Sequence, residues 1–457
     1  MALRVQISAR SALRAVLATG LLAMLGANLP GHLSYDSVAQ LYEGHFHIRE
    51  TWGPALYAWI LGLFDAVIPG TALYVTTSAA IFYASLASLT DLRPRTRWLA
   101  VAVAIPIMLI PQVIIYQAIV WKDVAFANCA VAGTICIAHA GRAWSRPSRR
   151  WLFLAVALVL FAVASQVRQN GVIALVFAAL ALGWIGGAGS WRRGAAWAVG
   201  GLAAALIAGF AVTAVSIPPG APKEEGVKSG LRIVQNYDLT GAVALDPGYR
   251  LDWIAPVAPK AAAMIRERAK FDYSGRRVDF MDRDAALTDI LWTIPDDAAM
   301  RQWTDLILKH PGLYLRVRWE DFRWVFATPV IDWCLPVYVG VDAPAEKMLP
   351  LKLEHRFVES DAQLNNYASW FIDTPFYRHW FYAGVSLVLA GLFLWRRQSG
   401  DVALAALQLS GVAFAASFFI ISIACDYRYL YFTDLAALTG LIYAAIDPPM
   451  PWRRRLS

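Results

Sequence analysis

Four short polar stretches interrupt the long apolar runs of this chain, and each carries a side chain able to do chemistry. Tyr35-Asp36-Ser37, with Gln40 one helical turn on, follows the first run. Lys122-Asp123 follows the third, directly after Trp121. Arg168-Gln169-Asn170 separates the fifth and sixth runs, and Cys425-Asp426-Tyr427-Arg428-Tyr429 separates the ninth and tenth. A carboxylate can take the proton of an attacking hydroxyl. Lysine and arginine can neutralise a phosphate as it leaves, and a phosphate needs no proton to depart. Each stretch also has a plain reading. Asp36 can cap a helix over Ser37 to Tyr42, Lys122 and Asp123 can form a weak local pair, and Arg168 and Arg428 can snorkel to headgroups. Two carboxylates and three cations at one membrane depth suit a buried polar site.

That co-location depends on how the chain crosses a membrane. Of 457 residues, 58% are hydrophobic and 16% charged, with mean hydropathy +0.47. Soluble domains carry nearer a quarter charged residues. The net charge of +8 sits in short clusters between apolar runs, which argues for membrane orientation and against a nucleic-acid partner. Runs long enough to span a bilayer lie at about 11–29, 71–90, 98–119, 124–141, 151–167, 171–187, 195–216, 379–395, 402–424 and 429–446. The first follows Arg4, Arg10 and Arg14 and is long for a signal peptide, so an uncleaved span is expected.

Basic residues orient these spans. One set of ends and short loops holds seventeen arginines, at positions 4, 10, 14, 93, 95, 97, 142, 146, 149, 150, 192, 193, 396, 397 and 453–455; the other holds four basic residues, Arg49, Lys122, Arg168 and Arg428. The first set is therefore expected in the cytoplasm, with both termini. Gly53 to Ile68 is also apolar, but as a span it would invert everything after it. It is expected as a helix lying in the outer leaflet, with Trp52, Tyr57 and Trp59 at headgroup level and Asp65 kept from deep burial. Residues 217–378 are turn-rich and polar enough for a soluble periplasmic domain between two membrane modules, 1–216 and 379–457. Trp303 to Leu315 and Leu315 to Phe326 read as helices within it.

Four cysteines are too few for a disulfide framework. Cys129 and Cys136 read as packing residues in one apolar run. Cys334 and Cys425 fall on the same side, where a bond between them is one arrangement that spacing alone does not fix. No CxxC, HExxH or Walker pattern is present.

In order and membrane side, the polar stretches resemble motifs of the GT-C superfamily of polyprenyl-phosphate-sugar-dependent membrane glycosyltransferases, in its bacterial members. Tyr35-Asp36-Ser37 with Gln40 is similar to the family's acidic motif in the first outer loop. Trp52-Gly53-Pro54-Ala55-Leu56-Tyr57-Ala58-Trp59 resembles its juxtamembrane His-Pro-Pro-Leu segment, with Trp and Gly in place of His and the first Pro. Asp123 matches a second acidic position, Arg168-Gln169-Asn170 an Arg-x-Asn element, and Arg428-Tyr429-Leu430 an Arg-Tyr-Leu before a late span. The resemblance covers about two thirds of the chain.

It implies an all-α polytopic membrane protein of about ten spans, with a juxtamembrane helix and one helix-rich periplasmic domain. It implies Asp36 as general base, Asp123 as the residue positioning acceptor or donor, and Lys122, Arg168 and Arg428 on the donor phosphate. Tyr35, Gln40, Asn170 and Tyr427 complete the expected substrate-binding set. The outcome would be inverting. The implied partners are a polyprenyl-phosphate-linked sugar, membrane lipids, and an envelope glycan, lipid or protein acceptor. Some members hold a divalent metal, Mg or Mn, on such carboxylates and others do not; His45 and His47 read as surface or acceptor-side residues more than as ligands. A transporter or flippase for a lipid-linked glycan is the alternative. It would place polar residues and helix breaks near the midplane, where the sequence has mainly Pro106 and Pro111. An assembly protein, a third reading, has no use for the carboxylates.

Overall fold

The computed structural model describes residues 7–51, 53–220, 226–275 and 284–448. Among these residues there is no strand; isolated bridges join His32 to Ile119, Leu33 to Val341 and Val341 to Arg356. The helices run in order as α1 (Ala9–Asn28), α2 (Tyr35–Phe46), α3 (Ala55–Val67), α4 (Ala72–Ser88), α5 (Trp98–Leu109), α6 (Pro111–Ile114), α7 (Lys122–Arg142), α8 (Pro147–Val167), α9 (Val172–Gly187) and α10 (Trp191–Ser216). Next come α11 (Gly226–Leu245), α12 (Pro259–Asp272), α13 (Ala285–Trp292), α14 (Asp296–Lys309), α15 (Pro311–Ala327), α16 (Ala345–Met348) and α17 (Glu359–Ser369). The chain closes with α18 (His379–Arg396), α19 (Ser399–Ile421) and α20 (Tyr431–Ile446).

Among the described residues, eight helical segments, built on α1, α4, α7, α8, α9, α10, α19 and α20, are long and apolar enough to cross a membrane. The protein is an all-α, multi-pass membrane protein. Its other two expected spans differ in form. The span expected over 98–119, with Pro106 and Pro111 as its main breaks, is bent at the second: α5 ends at Leu109 and the chain turns by 74° into α6. Pro111 opens α6 and Ile110 is extended, with ψ 148°, as a residue before proline prefers. The run is apolar on both sides of the turn, so hydropathy alone reads one span. Pro106, inside α5, leaves that helix unbroken. The other, α18, has 18 residues and polar ends, His379 and Arg396, and packs along α19 and α20.

Burial grades these helices. In α7 and α20, 83% of the spanning window is buried inside the protein, against 11% in α10. The sequence of α7 explains its place. Ala125, Ala127, Ala130, Ala132, Gly133, Ala138 and Ala140 leave room for neighbouring backbones, and small residues drive close packing where lipid removes the hydrophobic force. Gly133, for example, has Phe161 of α8 against the place a Cβ would occupy. By contrast α10 exposes Val199, Ile207, Phe210 and Val215, the surface expected of a lipid-facing helix.

Gly53 to Ile68 forms α3, whose 13 residues give about 20 Å, short of the roughly 30 Å of hydrocarbon. It packs on α2 at a close crossing where a Cβ on Gly44 would overlap the Ala58 carbonyl and one on Gly62 would overlap the Gly44 carbonyl. Two expectations here need correction. Tyr57 does not face headgroups: it is fully buried and its hydroxyl donates to Tyr74 at 3.1 Å. Asp65 is buried as well, because His45 Nδ1 lies 2.5 Å from it and the Gly70 amide donates to it at 2.7 Å. His45 is thereby engaged, and His47 caps α2 in the left-handed region at φ 53°. Trp52 lies outside the described residues.

Polar side chains gather at the two ends of the bundle. At one end Arg10 and Arg14 meet Asp91, Arg93 and Arg396 meet Asp401, and Arg142 donates to the Leu92 carbonyl. All five arginines belong to the seventeen-residue set. The four-residue set lies at the opposite end, together with α2, α3, the bend before α7, and a second hydrophobic core. That core is built from Tyr237 to Val317 of α11 to α15. Arg318, fully buried, ties it to the membrane helices: Nη1 donates to the carbonyls of Ile420 (3.0 Å) and Ser422 (2.8 Å) at the end of α19. Cys334 and Cys425 form a disulfide, Cα–Cα 5.0 Å, holding a turn after α15 against the loop before Asp426.

Candidate functional site

The bend between α5 and α7 builds the floor of this end. His32 and Val120 exchange backbone hydrogen bonds with the facing chain, His32 N to Ala118 O and Val120 N to His32 O, both at 3.0 Å. This lays the first loop beside the entry to α7. The His32 ring is buried; Nε2 meets Asn28 Oδ1 at 2.9 Å, while Nδ1 accepts from the Gly340 amide at 3.0 Å and from Arg356 at 3.2 Å. Burial, then the Arg356 charge, lowers its pKa to about 4 despite nearby Asp361. His32 is thus neutral, with its proton on Nε2, and pins the first loop to the 340–356 segment.

Asp36 emerges from that loop in the first turn of α2, whose N-cap is Ser34. It is therefore not the cap that the local sequence allows. Asp36 Oδ2 accepts from Arg428 Nη2 at 2.7 Å. Arg428 Nε lies 2.8 Å from Asp426 and 4.0 Å from Asp123, and its guanidinium sits 4.8 Å from the centre of the Trp121 ring. Trp121 is fixed in turn by donating to Ser34 Oγ at 2.8 Å. Asp123 forms a close ion pair with Arg168. Arg168 donates to Asn170 Oδ1 at 3.2 Å and to the Tyr429 carbonyl at 3.3 Å, among the rings of Phe414, Phe418 and Tyr429.

The structure therefore brings together Asp36, Asp123, Lys122, Arg168 and Arg428 from four distant parts of the chain. Lys122, at the first position of α7, acts electrostatically on Asp36, Arg168 and Arg428. Exposure sorts the cluster: the Asp36 side chain is 44% exposed, Arg428 13%, Asp123 2% and Asp426 1%. Asp36 is the most accessible of the three carboxylates. Burial pushes its pKa up, but Arg428 and Lys122 outweigh this and hold it below the ordinary carboxylate value. At neutral pH it is ionised.

The remaining expected residues fall differently. Asn170 supports Arg168, and its amide donates to Ser417 at 3.2 Å. Tyr35 is exposed beside the cluster, while Gln40 is buried against Gly53. Tyr427 turns away: its hydroxyl donates to Asp434 at 2.7 Å and accepts from Gln112 at 2.9 Å, and its ring stacks on His379 at 4.2 Å. The alternation of Tyr427 and Arg428 across a 3-10 turn sends one inward and the other to the site. Two residues were missed as site members: Asp426, two positions from Arg428, and Trp121, one before Lys122. Their positions beside recognised residues were the available signal.

Among the described residues no group of three or more His, Cys, Asp or Glu converges on a point where a metal ion would sit. Asp36, Asp123 and Asp426 each face a guanidinium, an arrangement that does not fit a divalent cation.

No family model matches the chain, and no curated protein matches it. Solved structures of an Archaeoglobus fulgidus oligosaccharyltransferase do align. The complex of the archaeal oligosaccharyltransferase AglB with an inhibitory peptide and a dolichol-phosphate is 13% identical, over 94% of this chain and 50% of that one, with TM-score 0.41. The complex with Zn and sulfate is 14% identical, over 94% and 48%, with TM-score 0.41. The form tethered to an acceptor peptide containing the NVT sequon is 12% identical, over 94% and 49%, with TM-score 0.40. The chain thus spans about half the length of the structures it matches.

Proposed function

We propose that this chain is an integral membrane glycosyltransferase that moves a hexosyl or pentosyl group from a polyprenyl-phosphate donor to an acceptor hydroxyl. In this reading it resides in a bacterial inner membrane with both termini in the cytoplasm and the site facing the periplasm. Residues 217–378 then form the periplasmic domain, and the acceptor is an envelope glycan, lipid or protein. The observation that carries the reading is the convergence of Lys122, Arg168 and Arg428 around an exposed, ionised Asp36 at the end of the spanning helices. That depth is where the phosphate of a lipid carrier lies.

The geometry supports the following chemistry. Asp36 accepts the proton of the acceptor hydroxyl, whose oxygen forms a bond to the anomeric carbon. The carbon–oxygen bond to phosphate breaks, and its electron pair leaves on the polyprenyl phosphate, whose charge Arg428 and Lys122 meet. Asp123, buried between Arg168 and Arg428, orients both guanidiniums. Attack from the face opposite the phosphate inverts the anomeric centre. The break after α5 does not favour the transporter reading. The buried amide N–H groups there donate to protein partners, Gln112 to Tyr427 and Phe376, and Gln117 to Asn128 and Tyr431.

The test is a transfer assay. Purified full chain is mixed with polyprenyl-phosphate sugars, radiolabelled in the sugar, and with an envelope extract as acceptor source. The reading expects label to move from the lipid to extract components and free polyprenyl phosphate to appear in equal amount. Label that stays on the lipid with every sugar tried, using protein that binds polyprenyl phosphate, would refute the transfer.

A further inference from the structure

Of the three carboxylates within 4.0 Å of Arg428, the two nearest differ in kind. Asp426 is buried, meets Nε at 2.8 Å, and belongs to the same loop, beside the Cys334–Cys425 disulfide. Asp36 meets Nη2 at 2.7 Å from another element, α2, and is the exposed member of the cluster. A phosphate approaching from the exposed side needs the N–H that Asp36 now occupies.

Charge balance makes the competition sharper. Asp36, Asp123 and Asp426 offset Lys122, Arg168 and Arg428, three charges against three. A bound phosphate adds negative charge to a site already neutral. Withdrawal or protonation of a carboxylate relieves that added charge. Asp123 and Asp426 are enclosed; Asp36 has solvent on one side.

We propose that the donor phosphate displaces Asp36 from Arg428 while Asp426 keeps the guanidinium in place, so that Asp36 becomes free to act as base only after the donor has bound. This rests on the reading of the site as one for a phosphate-linked donor. Asp426 is then a positioning residue that acts through Arg428. Binding is ordered, donor before productive acceptor, and the site does not activate hydroxyls while empty.

Two substitutions that remove the same charge from the same arginine are expected to have opposite effects. Binding of polyprenyl monophosphate, without sugar, is measured on the full chain in detergent. Asp36→Asn removes the competitor, so binding tightens by about 2- to 5-fold, the size of a partly exposed charge pair. Asp426→Asn releases Arg428 from its fixed partner, so binding weakens by about 10-fold or more. Asp426→Glu, which keeps the charge, restores binding to within about 3-fold of wild type. Shifts of the same sign in both Asn variants overturn the exchange, since loss of negative charge alone tightens both and disorder alone weakens both. If Asp426→Asn does not fold, unchanged or weaker binding by folded Asp36→Asn is sufficient to overturn it. Failure of the wild type to bind polyprenyl phosphate at all sinks the functional reading itself.

Discussion

The Arg168–Asp123 pair offers the sharpest test of how the site is held. Both side chains are almost fully enclosed, 10% and 2% exposed. Removing one partner of such a pair strands the other charge in a poorly solvated place, at a cost of about 3–5 kcal/mol. Arg428 lies 4.0 Å from Asp123 and relieves part of this, so Arg168→Met is expected near the lower figure, about 3 kcal/mol. Asp123→Asn is expected to cost a similar amount, since Arg168 is left among the rings of Phe414, Phe418 and Tyr429. The double variant strands neither charge. It should be less destabilised than the sum of the singles by about 2–3 kcal/mol. The assay is unfolding of the detergent-solubilised full chain, by denaturant or by temperature, for all four members of the cycle. Additive losses would show that the two side chains do not share an enclosed pair.

Three further outcomes follow from separate parts of the molecule. Gly44→Leu forces a side chain into the Ala58 carbonyl, so it should displace α3 and lower stability by about 2 kcal/mol or more; a neutral result in the same unfolding assay would contradict the crossing. Asp238 and Asp321 flank Arg318 at 2.5 and 2.6 Å, and burial raises both carboxyls, to about 6 and about 7. The folded chain therefore binds more protons than the unfolded one between about pH 4 and 7. Its stability should fall as pH rises through that window, by about 1.4 kcal/mol per pH unit for each carboxyl protonated only in the folded chain; a melting temperature higher at pH 8 than at pH 5.5 would count against it. The proposed orientation predicts that a cysteine at Arg146 stays unlabelled by an impermeant reagent in intact cells, and labelling there would invert the topology.

Much of the frame is legible in the sequence because hydropathy and arginine placement report directly on lipid contact. The four polar stretches meet because span alternation sends them to one end, a consequence of counting helices. Pro111 marked a break before α6, but the 74° turn there was not legible. A turn inside an apolar run changes direction without changing composition, and Pro111 signals a stop but not an angle. Tyr57 and Asp65 were misplaced for a related reason: α3 lies against α2 through Gly44, so residues that suit a headgroup face inside the protein. Tyr427 and Arg428 show the limit of motif reading, since one 3-10 turn sends neighbours to opposite surroundings. The Cys334–Cys425 bond needed the position of the segment after α15, which no local pattern fixes.

The central claim is that Asp36 takes the acceptor's proton, and turnover of Asp36→Asn measures it most directly. The substitution keeps size but removes the basic carboxylate and its ion pair with Arg428. In a transfer assay with saturating polyprenyl-phosphate sugar, kcat should fall by about 100-fold or more, the usual contribution of a general base, while the variant melts like the wild type. Near-normal turnover in such a folded variant would contradict the account.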